Sequence, residues 1–155
     1  MDTLSVVVDP ARARCTRGGN VCAEIMLLAA GKAFPTESWT DFAVVLLSWW
    51  VPAIARVAAD GRREELRFME GPYWAEVWCD ASGAWRADLV EHRRRQEVLR
   101  TLEFDVVKFA HSLMDAADVT LRLCRERDSW SSDADLLDAS AKEFRRDTTL
   151  MPRSM

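Results

Sequence analysis

Side chains able to do chemistry are few in this chain, and their spacing matches no catalytic motif. Histidine occurs only at His92 and His111, and cysteine at Cys15, Cys22, Cys79 and Cys124. A hydroxyl or thiol nucleophile needs a base and an orienting acid within hydrogen-bond reach. His111 has Asp115 four residues on and Asp118 beyond it, which on a helix is an ordinary polar stripe, and Gly-x-Ser-x-Gly does not occur. Gly18-Gly19 and Gly71 lack the following residues that a phosphate-binding loop requires. With no Cys-x-x-Cys pair and two histidines, the spacing argues against structural zinc. No catalytic residue, metal or cofactor is therefore expected.

Two charged groups remain. Glu70, Glu76 and Asp80 cluster on or beside one predicted hairpin, where carboxylates could serve acid–base or metal chemistry; they read instead as solvent-facing strand and turn residues. His92-Arg93-Arg94-Arg95, with Arg100 beyond, is the only basic cluster and could meet phosphate. Glu91, Glu97 and Glu103 flank it, and no aromatic residue is interleaved for base stacking. The net charge of −4 is opposite to that of a nucleic-acid binder and mildly favours a basic protein partner.

Tryptophan is the richer signal. Three of seven, Trp74, Trp78 and Trp85, fall on the hairpin, and this residue type both fills cores and anchors interfaces. Alternation places Tyr73, Ala75, Val77 and Cys79 on one face of the first strand and Trp74, Glu76 and Trp78 on the other. A two-residue turn at Ser82-Gly83 would pair Trp78 with Ala87 and bring Trp85 onto the Trp78 side. An odd-numbered loop would send Trp85 to the opposite face. Glu76 among the rings favours some exposure of that face, because a buried, unpaired carboxylate is costly. Trp74, Glu76, Trp78 and Trp85, with Glu70 and Asp80, are thus the candidate partner-binding residues.

The elements that must position them follow from periodicity. Leu4–Asp9 reads as a strand continuing past Pro10 toward Cys15. Val21–Ala30 is apolar enough for strand or helix and is read as the returning strand because the Gly18-Gly19-Asn20 turn is so close. Phe34-Pro35 is a breaker, and Ser38 with Asp41 resembles a capping box. A helix then runs from about Trp39 to Ala59, with a kink expected at Pro52 and its end at Asp60-Gly61, and with Trp49 and Trp50 in the core. Strands follow at Glu65–Glu70, Tyr73–Cys79 and Ala84–Val90, then a solvated connection at residues 92–96. Helices are predicted over about Glu103–Arg127 and Asp133–Arg146. The fold class is α+β: one antiparallel sheet of about five strands, with three helices packed mainly on one face. Residues 1–146 form one globular domain, and 147–155 a flexible tail.

Only Lys32, Lys108 and Lys142 are lysines among 21 basic residues; with abundant alanine, that is the composition of a GC-rich bacterial genome. The first residues carry no secretory pattern, and the longest apolar stretch, Phe42 to Ala59, contains Pro52 and Arg56 and reads as a buried helix rather than a span. The expected compartment is cytoplasmic, without membrane association. A Gly18-Gly19 two-residue turn would set Cys15 opposite Cys22, but in the cytosol both are expected as thiols.

In their order, Phe34-Pro35, Trp39-Thr40-Asp41-Phe42 with Trp49-Trp50, and Phe68-Met69-Glu70-Gly71-Pro72-Tyr73 resemble segments of the bacterial immunity proteins encoded beside polymorphic or contact-dependent toxins. The likeness covers about Leu4 to Leu123 in outline. It implies a non-catalytic cytoplasmic protein that neutralises one cognate toxin domain by stoichiometric inhibition, and it transfers no contact residues. Separately, the chain is expected to be a monomer or homodimer. A self-associating scaffold, a small enzyme and a nucleic-acid-binding domain are the alternatives.

Overall fold

A computed structural model of the protein describes residues 1–151. The chain begins with strands β1 (Leu4–Cys15), β2 (Val21–Ala29), β3 (Lys32–Phe34) and β4 (Thr40–Asp41), followed by helix α1 (Ala43–Asp60). Four more strands come next, β5 (Glu64–Arg67), β6 (Tyr73–Cys79), β7 (Trp85–His92) and β8 (Gln96–Phe104), and then helices α2 (Val106–Glu126) and α3 (Ser132–Asp147). The α+β class stands, but the strands form two antiparallel sheets of four rather than one of about five. One is ordered β1–β2–β3 with β4 also on β2, and the other β5–β6–β7–β8. The sheets touch where Asp2 bridges Phe104, its N–H donating to the Glu103 carbonyl at 2.8 Å.

Three strands escaped the sequence reading. β3 and β4 are too short to show a period. β8 occupies residues assigned to a connection and to the start of a helix. That helix, α2, begins only after Asp105, whose carboxylate caps it by accepting from the N–H groups of Val107 (3.0 Å) and Lys108 (3.2 Å). Likewise α1 starts at Ala43 rather than Trp39. Thr40 and Asp41 pair with Glu24 and Ala23 of β2, and Ser38 lies at φ +57 and caps nothing. At its other end the expected glycine stop is present: Gly61 (φ +75) donates to the Val57 carbonyl at 2.7 Å.

The two hairpins whose turns were expected to hold two residues, β1–β2 and β6–β7, turn through three. Thr16 N–H meets the Asn20 carbonyl at 2.9 Å and Gly19 N–H the Thr16 carbonyl at 3.0 Å; Asp80, Ala84 and Gly83 repeat the arrangement at 2.9 and 3.0 Å. Gly19 (φ +80) and Gly83 (φ +87) supply the left-handed residue that closes such loops. Each pairing is therefore displaced by one residue: Cys15 faces Val21 and Arg14 faces Cys22, so the two cysteines are not opposite, and all four are free thiols.

Helix α1 packs on β2, β5 and β6 and also against α2 and α3. It is long and apolar enough to cross a membrane by length and composition, yet 61% of it is buried inside the protein. Trp50 is fully buried and donates its indole N–H to the Arg67 carbonyl at 2.9 Å, occupying an acceptor on edge strand β5. Trp49, expected in the core beside it, is 45% exposed, because successive helical residues point about 100° apart. Leu4, Val6, Ile25, Leu27, Leu113 and Phe144 belong to one continuous core, and Leu150 and Met151 pack against it. Of the predicted tail 147–155, residues 152–155 lie outside the described residues.

Candidate functional site: the outer face of the second sheet

Register decides which tryptophans meet. Cys79 pairs with Trp85, Trp78 with Arg86, and Trp74 with Val90. One face of the sheet therefore carries Leu66, Ala75, Val77, Trp85, Ala87 and Leu89, all in the main core. Trp85 is only 8% exposed and meets Phe104 edge to face at 6.3 Å. The expectation that it shares a face with Trp78 fails, since the three-residue loop is the odd-numbered case.

The opposite face carries Trp74, Glu76 and Trp78 together. β5 sets Arg67 beside Trp74 and Glu65 beside Glu76. The Arg63 guanidinium lies 3.8 Å over the Trp78 ring and the Arg67 guanidinium 4.6 Å over Trp74. Glu76 accepts from Arg63 at 3.0 Å, and Glu65 from Arg67 at 2.6 Å. Two guanidinium–indole stacks are thus each pinned by a carboxylate. Such a contact is worth about 0.5–1 kcal/mol at an exposed site and more once desolvated.

Trp74 is 5% exposed and, like Val90, buried apart from the main core; the His92 ring meets it edge-on at 6.2 Å. Its indole N–H is buried without a hydrogen-bond partner, a deficit of about 1–3 kcal/mol. At the β5 edge, a groove of about 490 Å³ is lined by Arg63, Glu65, Arg67 and Glu76 together with Trp49.

The six candidate residues thus divide. Trp74, Glu76 and Trp78 converge; Trp85 is turned into the core; Glu70 and Asp80 sit at opposite ends of β6. Asp80 is committed to its own turn. It accepts from the Ser82 hydroxyl (2.6 Å), the Arg86 guanidinium (2.7 Å) and the N–H groups of Ser82 (2.9 Å) and Ala84 (3.1 Å). The Ser82 hydroxyl first, and Arg86 next, hold its carboxyl well below the usual range. Missed from sequence were Arg63, Arg67 and Trp49. Arg63, Glu65 and Arg67 do share one parity in sequence, the signal that could have put them on a common face.

The segments carrying the resemblance come together in a second place. The Phe34 ring lies 6.0 Å from Phe68 and 5.8 Å from Tyr73, Trp39 is 5.5 Å from Tyr73, and Trp50 is 5.1 Å from Phe68, all edge to face. Asp41, 1% exposed, accepts from the Trp39 indole (3.1 Å), Phe42 N–H (2.7 Å) and Glu70 N–H (3.1 Å). Gly71 (φ +77) passes so close that a Cβ there would lie 3.0 Å from Trp39 Cη2. These residues build an aromatic joint between the β3–β4 region and the β5–β6 turn.

The remaining candidates stay dispersed. His111 and Asp115 are exposed on α2, and Asp118 takes Arg145 at 2.7 Å. Arg93 donates to Glu91 (2.8 Å) and to the Tyr73 hydroxyl (3.0 Å), whereas Arg94 and Arg95 project from the β7–β8 turn. Among the described residues, no group of three or more His, Cys, Asp or Glu side chains is placed to hold a metal ion. Comparison with protein-family models, with curated proteins and with solved structures found no match to this chain.

Proposed function

We propose that this protein is an immunity-type inhibitor that binds a cognate bacterial toxin domain in the cytoplasm and neutralises it by stoichiometric occupation, without catalysis or cofactor. The observation that carries the reading is the outer face of β5–β8, where Trp74 and Trp78 are stacked under arginines and Trp74 keeps a buried, unpaired N–H. Aromatic and arginine side chains held rigid before association are what a tight interface uses as anchors.

The face differs in charge from the acidic patch that would simply attract a basic toxin. Glu65 and Glu76 are already paired with Arg67 and Arg63, so it presents alternating charge around aromatic rings. Such a pattern rewards a partner of matching alternation and penalises others. Trp49 extends the patch around the β5 edge.

The test is co-expression with the toxin domain encoded beside this gene. The native chain should rescue growth and form a one-to-one complex. A Trp78→Ala, Trp49→Ala double variant should keep its fold and lose protection. No complex with any neighbouring gene product would end this reading. A stable homo-oligomer dissolved by Trp78→Arg would replace it with a self-associating scaffold.

A further inference from the structure

A second surface, unconnected with the tryptophan face, lies along the seam of α2 and α3. A groove of about 270 Å³ is lined there by Asp118, Arg122 and Arg125 from α2 and by Asp138, Lys142 and Arg145 from α3. Leu121 and Ala141, both buried, form its floor. Four cations against two carboxylates leave two positive charges in a chain whose net charge is −4.

The two carboxylates are already engaged, Asp118 by Arg145 at 2.7 Å and Asp138 by Lys142 at 2.9 Å. Arg122 and Arg125 make no ion pair among the described residues. They stand three apart and so share a face of α2. Arg125 is also held in place, its guanidinium 4.8 Å over the Trp130 ring, while the Trp130 N–H donates to Asp135 at 2.7 Å. Compensation of the helix dipole accounts for Arg125 and Arg145, which lie in the last turns of their helices. It does not account for Arg122 and Lys142 beside them.

We propose that this groove binds a compact phosphate-bearing anion of the diphosphate class. Guanidinium groups bind phosphate oxygens bidentately. Arg122 and Arg125 would take one phosphoryl group, and Lys142 and Arg145, which keep unused N–H donors beyond their carboxylates, would share the second. A pre-positioned Arg125 lowers the ordering cost of binding.

Pyrophosphate titrated into the whole protein at near-physiological salt, followed by calorimetry and by amide shifts along α2 and α3, tests this. One saturable site is expected, weakened about tenfold or more by Arg122→Gln, Arg125→Gln together. Trp130→Ala should weaken it less. The control Arg94→Gln, Arg95→Gln removes the same charge from the hairpin tip and should leave the affinity unchanged. ADP serves as the second arm: tighter binding than pyrophosphate identifies a nucleotide as the source of the diphosphate, and equal binding the inorganic anion. Absence of saturable binding, or a loss that is equal or absent in both double variants, overturns the proposal. None of these readouts involves a toxin.

Discussion

Cys79 stands directly opposite Trp85 across the β6–β7 pair, and that pairing turns Trp85 into the core while Trp74 and Trp78 face the other way. The cause is one loop residue: Gly83 closes a three-residue turn that displaces the returning strand by one position.

Trp85 and Trp78 should therefore behave oppositely. Trp85→Ala removes a side chain from the continuous core and should cost about 3–5 kcal/mol in urea unfolding. Trp78→Ala loses a half-buried ring and one cation–π contact, about 1 kcal/mol. If Trp78 is an anchor, its loss should appear in partner affinity rather than in stability. Equal stability losses would contradict the assignment of faces.

Asp41 is the polar centre of the aromatic joint. Asp41→Ala leaves the Trp39 indole and the Phe42 and Glu70 N–H groups without their acceptor, and should destabilise the protein by at least about 2 kcal/mol. Hydrogen exchange at the Glu70 and Phe42 amides, compared with the native protein, should rise in step. Unchanged protection there would show that the carboxylate is dispensable.

Gly71→Ala should destabilise for two separable reasons. Its backbone lies at φ +77, and the new methyl would meet Trp39 Cη2 at 3.0 Å. The backbone strain alone is about 1–2 kcal/mol. Shortening the ring with Trp39→Phe should relieve the contact, so that the double variant is more stable than the sum of the singles. Strict additivity would assign the whole effect to φ.

The β6–β7 turn should carry a pH signature. Asp80 has a folded pKa lowered by the Ser82 hydroxyl and then by Arg86. Its stabilisation is therefore complete above the unfolded carboxyl value of about 4 and is lost as pH falls from there toward the folded value. Asp80→Asn should melt at a lower temperature than the native chain at pH 7, and the gap should narrow progressively below about pH 4. A gap constant with pH would show that the charge of Asp80 is not what stabilises the turn.

What the sequence determined was local. β-branched content with partial alternation identified β1, alternation identified β5, and the nearby Gly18-Gly19 turn identified β2. The apolar stripe identified α2, Gly61 marked the end of α1, and the division of Trp74, Glu76 and Trp78 from Tyr73, Val77 and Cys79 followed from the period of two. Each of these depends on neighbours a few residues apart, which is the range over which backbone geometry repeats. The tertiary structure decided the rest. β4 forms only because β2 offers Ala23 and Glu24 as partners, and β8 because β7 lies beside it; the strands divide into two sheets through contacts far apart in sequence. Whether Trp85 joined Trp74 and Trp78 hung on the length of a turn, because one residue reverses every side chain after it. Arg63 and Arg67 came to rest on Trp78 and Trp74 because β5 pairs with β6 in one particular register, and no spacing within either segment records that pairing.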